Sequence, residues 1–235
     1  HSLIQLDVDQ FYGIEIEEFP AQIAQVALWL MDHQMNQLVS EEFGLYFARI
    51  PLRASSTIVC ANALRIDWND VVPAERLSYI MGNPPFVGAK FLDDAQRADV
   101  AAVFGDMKNA GLLDFVAAWY VKAAKMMVGA RNVGARHAVP LRCAFVSTNS
   151  ITQGEQVGVL WSWMLAQGMK IFFAHRTFQW NNEARGKAAV HCVIVGFAVE
   201  DISPKWLFEY EDIRGEAHSV QAKNINPYLV DAPDV

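Results

Sequence analysis

The chain has 235 residues, of which 53% are apolar and 19% charged. This composition describes a globular domain with a sizeable core and excludes a disordered tail. No apolar stretch reaches the roughly 18 residues of a membrane span, and the start, His-Ser-Leu-Ile-Gln-Leu-Asp, does not read as a signal peptide, so no membrane partner is expected. The formal net charge of −7 is opposite to the basic balance of a stand-alone DNA-binding domain.

In chain order, Phe11-Tyr12-Gly13-Ile14-Glu15-Ile16 is a short apolar strand carrying one acid. Pro20 then opens a helix, a position where proline is tolerated. Ile23, Val26, Ala27, Leu30 and Met31 continue it at helical spacing to about Leu38. Thr57 to Ile66 reads as a second strand region and Leu77 to Gly82 as a third. Residues 88 to 110 read as a loop with short helical pieces, and Leu112 to Met127 as a helix with a broad apolar face. Cys143 to Thr148 is a buried strand and Gln156 to Gln167 a helix. Lys170 to Ala174 and Ala188 to Phe197 are two further strands, and Phe178 to Glu183 lies in their connection. No helix pattern intervenes, so this pair is expected to be an antiparallel hairpin. Residues 203–235 carry three prolines and little periodicity, and are expected to form a trailing arm or linker after a domain spanning 1–202. Strands alternating with helices predict an open α/β sheet, and their near-continuous apolar runs predict burial on both faces.

The chemistry concentrates after the third strand, where Asn83-Pro84-Pro85-Phe86 follows Gly82. Two prolines fix φ, force an extended exit and remove two backbone donors. The Asn83 amide oxygen and the Pro84 carbonyl are then available as acceptors, and Phe86 offers a ring for stacking. The set fits an exocyclic amino group on a flat ring. A plain strand-ending turn uses the same residues.

Glu15 stands near its strand end, where ligands bind in open α/β sheets, and can accept from ribose hydroxyls. Glu17 and Glu18 follow it, so it also reads as one charge in an acidic stretch. Asp67, with Trp68 beside it, can accept from an adenine amino group while the neighbour covers the ring; equally, Asp67 reads as a turn or helix cap. Phe178 and Trp180, beside Asn181, are candidates for stacking on a base drawn out of a duplex, or for core packing.

Charge is uneven. Residues 1 to 107 hold six Lys+Arg against fifteen Asp+Glu, whereas Lys108, Lys122, Lys125, Arg131, Arg136 and Arg142 face the single acid Asp114. That basic stretch suits phosphate or a solvated helix face. Cys60, Cys143 and Cys192 are far apart, which argues against a disulfide framework and suits a reducing cytoplasm. The histidines show no ligand spacing, so no metal site is expected.

Several stretches together resemble one family. They are Phe11 to Ile16, Ala27 to Asn36, Gly82 to Phe86, Leu113 to Tyr120, Ser147 to Ser150 and Thr177 to Ala184. Their order is similar to the adenine-N6 methylase region of large single-chain type II restriction–modification enzymes of prokaryotes. The resemblance implies the Rossmann-like fold of class I methyltransferases, a mostly parallel sheet closed by a C-terminal antiparallel hairpin. It implies S-adenosylmethionine as cofactor, held by Glu15, Ile16, Asp67, Trp68 and Asn83. It also implies double-stranded DNA with a flipped adenine as partner. By resemblance Asn83 and the Pro84 carbonyl accept from the target amino group, Pro85 shapes the turn, and Phe86 stacks on the base. Phe178, with Trp180 and Asn181 near it, covers the other side.

One departure is large. The family's glycine-rich loop after its first strand has no counterpart, since no Gly-x-Gly run occurs. The chain is therefore expected to start after the first strand, to lack other parts of its parent polypeptide, and to bind S-adenosylmethionine weakly or not at all. Open strand edges make self-association plausible. Competing readings are methylation of a protein glutamine or an RNA base, and a non-catalytic DNA-binding or scaffold module.

Overall fold

The computed structural model describes residues 6–44, 56–132, 140–180 and 190–234. The chain divides into two compact units, His1–Pro73 and Ala74–Val235.

In the first unit β1 (Tyr12–Glu15) pairs in parallel with β2 (Thr57–Cys60), with Glu15 opposite Cys60. A parallel pair requires a crossover, and the described part of it is helix α1 (Glu18–Phe43), which ends at Gly44 with φ 62°. That left-handed cap suits a residue without Cβ. The helix runs five residues beyond Leu38. Its apolar stripe stays open: Ile23, Val26, Leu30 and Met31 are each 50% exposed or more. Strand β2 covers only the first four residues of the expected Thr57–Ile66 region. After it the Asn62 side-chain oxygen accepts from the Leu64 amide at 2.9 Å, and its carbonyl accepts from Arg65 at 3.0 Å, which turns the chain. A single helical turn, α2 (Trp68–Val71), closes the unit.

The second unit is built on a six-stranded sheet in the order β3-β4-β6-β5-β7-β8. Its strands are β3 (Tyr79–Gly82), β4 (Arg142–Thr148), β5 (Lys170–Trp180), β6 (Val190–Ala198), β7 (Lys205–Tyr210) and β8 (Ala217–Ala222). The pairs β3–β4 and β5–β7 are parallel; β4–β6, β5–β6 and β7–β8 are antiparallel. Strands β3, β4, β5 and β7 thus run one way, and β6 and β8 the other. This is the expected α/β sheet, mostly parallel, and β5 and β6 pair antiparallel as expected.

Three expectations are corrected. Residues 203–235 are not a bare arm, since β7 and β8 extend the sheet beyond the β5–β6 pair. The pattern hid them because β8 is an edge strand, Ala-His-Ser-Val-Gln-Ala, exposed at five of six positions; edge pairing needs backbone partners, not apolar side chains. Residues 88–110 contain an eleven-residue helix, α3 (Asp94–Phe104). Its signal is a capping box: the Asp93 carboxylate accepts from the Gln96 amide at 2.7 Å, and the Gln96 side chain accepts from the Asp93 amide at 3.1 Å. Strand β3 is not buried on both faces. Among the described residues it has one neighbour, β4, and Tyr79 and Met81 are 55% and 77% exposed.

The core of this unit lies between the sheet and helices α4 (Ala117–Asn132) and α5 (Gly154–Ala166). Val116, Ala117, Ala118, Tyr120, Val121, Ala123 and Ala124 are fully buried. The Tyr120 ring stacks on Phe197 at 5.3 Å and meets Phe145 and Trp161 edge-on at 5.3 and 6.0 Å. Its hydroxyl pairs with the buried Ser147 hydroxyl at 2.8 Å, and burial pushes the phenol pKa far up.

Candidate active site

The carboxyl end of β3 carries the candidate residues Asn83 to Phe86. Asn83 and Pro85 are exposed, Pro84 is buried and Phe86 is half-buried. Gly82 stands opposite Phe145 of β4, so the motif lies level with the end of β4, from Val146 onward. Thr148 at that end pairs with Cys192 of β6, and Cys192 pairs with Phe178 of β5. Register across three strands therefore places Phe178 at the same end of the sheet as Asn-Pro-Pro-Phe.

Phe178 and Trp180 lie within β5 rather than in a connection. Two residues apart, their rings share a face of the strand, and a bulge between His175 and Phe178 shifts the alternation so that His175 lies on that face too. There Phe178 stacks on Tyr210 at 5.5 Å and approaches Trp180 at 6.1 Å and His175 at 6.3 Å. His175 stacks on Phe208 at 4.2 Å, and its Nδ1 pairs with the Tyr210 hydroxyl at 2.7 Å. This aromatic row was not singled out in the sequence, because half of it comes from the stretch read as an arm. Trp180 is 43% exposed, and Asn181 lies outside the described residues.

Burial lowers the His175 pKa below its ordinary 6.5. A lowered folded pKa contributes stability above the unfolded value that is lost as pH falls through the folded one. NMR titration of the 235-residue chain is expected to show the His175 ring changing charge below pH 6.5. A midpoint at or above 6.5 would contradict the burial.

In the first unit Glu15 is the last residue of β1, at the carboxyl end where ligands bind in open α/β sheets, and Asp67 lies seven residues after the end of β2. The Glu15 Oε1 accepts from the Ile16 amide at 2.9 Å and weakly from Glu17 at 3.4 Å. Ile16 is 63% exposed. Asp67 caps α2: its Oδ1 accepts from the Asn69 amide at 2.9 Å and from the Asn69 side chain at 3.1 Å. Trp68 is buried, and its indole N–H donates to the Ala63 carbonyl at 2.8 Å. A carboxylate such as Glu15 at a strand end can accept from the hydroxyl donors of a nucleoside. Among the described residues no three His, Cys, Asp or Glu side chains group to hold a metal, and no helix is long and apolar enough to cross a membrane.

Residues 1–209 match the family described as MmeI, DNA-methyltransferase domain. The chain belongs to this family. DNA methyltransferase A of Bacillus subtilis (strain 168) is 39% identical over 232 residues, 97% of this chain and 25% of its own length. The structure of the Type IIL restriction-modification enzyme MmeI in complex with DNA is 60% identical, with TM-score 0.90 over all of this chain and 30% of that one. The type IIG restriction endonuclease BpuSI, 10% identical with TM-score 0.50 over 88% of this chain and 25% of its own, shares the fold alone. The chain thus spans under a third of the length of these relatives. The matched family is that of a DNA-methyltransferase domain, and a methyltransferase domain implies S-adenosylmethionine as methyl donor in general.

Proposed function

We propose that this chain carries the amino-group half of an adenine-N6 methyl-transfer site within a DNA restriction–modification enzyme of the prokaryotic cytoplasm. The observation that supports it most is the register that sets Asn-Pro-Pro-Phe and Phe178 at one end of a single sheet. Asn83 through its amide oxygen and Pro84 through its carbonyl accept the two N6 hydrogens of an adenine drawn out of the duplex. That draws charge onto N6 and orients its lone pair. Phe86 stacks on the base, and Phe178, backed by Tyr210, covers its other side. S-adenosylmethionine, when bound, supplies an electrophilic methyl carbon on a sulfonium. Asn83 and the Pro84 carbonyl would hold N6 toward that carbon and accept from its hydrogens as N6 gains positive charge and sheds a proton. No covalent enzyme intermediate is needed, and proximity and orientation supply most of the rate. Glu15 and Asp67 serve the nucleoside part of the cofactor.

The test is labelled-methyl transfer from S-adenosylmethionine to unmethylated DNA by the protein as its gene encodes it. The product base is expected to be N6-methyladenine. Label on cytosine, on RNA or on a protein glutamine would replace the reading by another. The 235-residue chain alone, which contains no Gly-x-Gly segment, is expected to bind the cofactor weakly or not at all, and calorimetry showing micromolar affinity would contradict that.

A further inference from the structure

The stretches Leu113 to Tyr120 and Ser147 to Ser150 are not explained by that chemistry. Between positions 108 and 142 the only acid is Asp114, and its hydrogen bonds reach both stretches and the motif segment. Its Oδ1 accepts from the Ala89 amide at 2.9 Å, three residues beyond Phe86, and its Oδ2 accepts from the Ser150 hydroxyl at 2.6 Å. Its own amide donates to the Gln156 side chain of α5 at 3.1 Å. The next residue, Phe115, donates its amide to the Val87 carbonyl at 2.9 Å. Ser150 in turn pairs with Thr148, the last residue of β4, at 2.8 Å.

Pro84 and Pro85 have no N–H, so the middle of the motif lacks the amide donors with which a loop usually anchors itself. Its exit must be held from outside, and the described anchors are Val87 and Ala89. Hydrogen bonds to a carboxylate are about twice as strong as neutral ones, which suits a residue that must fix a loop rather than merely touch it.

We propose that Asp114 is a positioning residue of the methyl-transfer site: its carboxylate ties the chain leaving Asn-Pro-Pro-Phe to the turn after β4. It thereby sets where Asn83, the Pro84 carbonyl and Phe86 stand. The proposal rests on the reading that residues 83–86 receive the target amino group.

The experiment uses the gene's full product and single-turnover methyl transfer, with DNA and cofactor affinities measured separately. Asp114→Ala removes both acceptors and is expected to slow the transfer step about 30- to 100-fold, as a displacement near 1 Å does, with both affinities held within about threefold. Asp114→Asn keeps an oxygen for Ala89 and sets an amide donor against the Ser150 hydroxyl, so it is expected to recover the rate to within about fivefold of wild type. Ser150→Ala removes one anchor and is expected to cost about 3- to 10-fold. A wild-type rate in folded Asp114→Ala overturns the proposal, as does a loss fully accounted for by its unfolded fraction, or an Asn variant no better than the alanine one. Should Asp114→Ala fail to fold, an unchanged transfer rate in Ser150→Ala overturns it. If wild-type enzyme methylates RNA or a glutamine peptide instead of DNA, the function reading fails while the same rate ratios on that substrate still decide Asp114. Wild-type enzyme that methylates none of them overturns both.

Discussion

Replacing Asn83 by alanine in the gene's full product is expected to slow methyl transfer about 100- to 1,000-fold, the usual cost of removing one positioned hydrogen-bonding group from a reacting centre. The side chain is exposed, so stability should change by no more than about 0.5 kcal/mol. It carries no charge, so affinity for the DNA backbone, which rests on cations, should stay within a few-fold. The loss should therefore fall on the transfer step. Asn83→Asp keeps an acceptor oxygen in the same place and should retain more of the rate than alanine. The ordering is checked by single-turnover labelling with saturating DNA and cofactor. Comparable transfer by the alanine variant would remove Asn83 from the chemistry.

The largest expected effect on stability belongs to Trp161→Ala. Trp161 is 1% exposed, and truncating a buried tryptophan costs about 3–5 kcal/mol. The substitution also takes an edge contact from Tyr120 and leaves the Ile151 carbonyl without the indole N–H that donates to it at 2.9 Å. Ile151 sits in the 3-10 turn Asn149–Thr152, so the same change should loosen the turn that carries Ser150. Denaturant unfolding of the 235-residue chain measures it, with the 38%-exposed Trp206 truncated as a control expected to lose less. Equal losses at the two sites would mean that the cluster around Tyr120 is not the centre of this core.

Much of the architecture was legible because its signals are local. Pro20 in the first turn of α1, the alternating burial of β4 and the apolar run of β6 each follow from spacing and composition. The Asn-Pro-Pro-Phe segment was legible for the same reason: its chemistry is four consecutive residues. What escaped depends on partners distant in sequence. Strand β8 exists because β7 pairs with it. The bulge at His175 turns Phe178 onto a face shared with Tyr210, a residue 32 positions away whose stretch shows no strand pattern. Asp114 stood out only as a lone acid among cations; its bonds to positions 89 and 150 arise from the parallel pairing of β3 with β4. Asp67 shows the reverse case, since both readings of it were visible beforehand and the cap is the one whose bonds are formed.

The paired prolines have a consequence for observing this site. Pro84 and Pro85 lack exchangeable amide protons, so the heart of the motif is silent in isotope exchange. Bonded reporters on its exit are the amide hydrogens of Ala89 and Phe115, one held by the Asp114 carboxylate and the other by the Val87 carbonyl. They belong to segments 26 residues apart yet secure the same exit, so any opening of the motif's exit must free both, and their exchange rates move together.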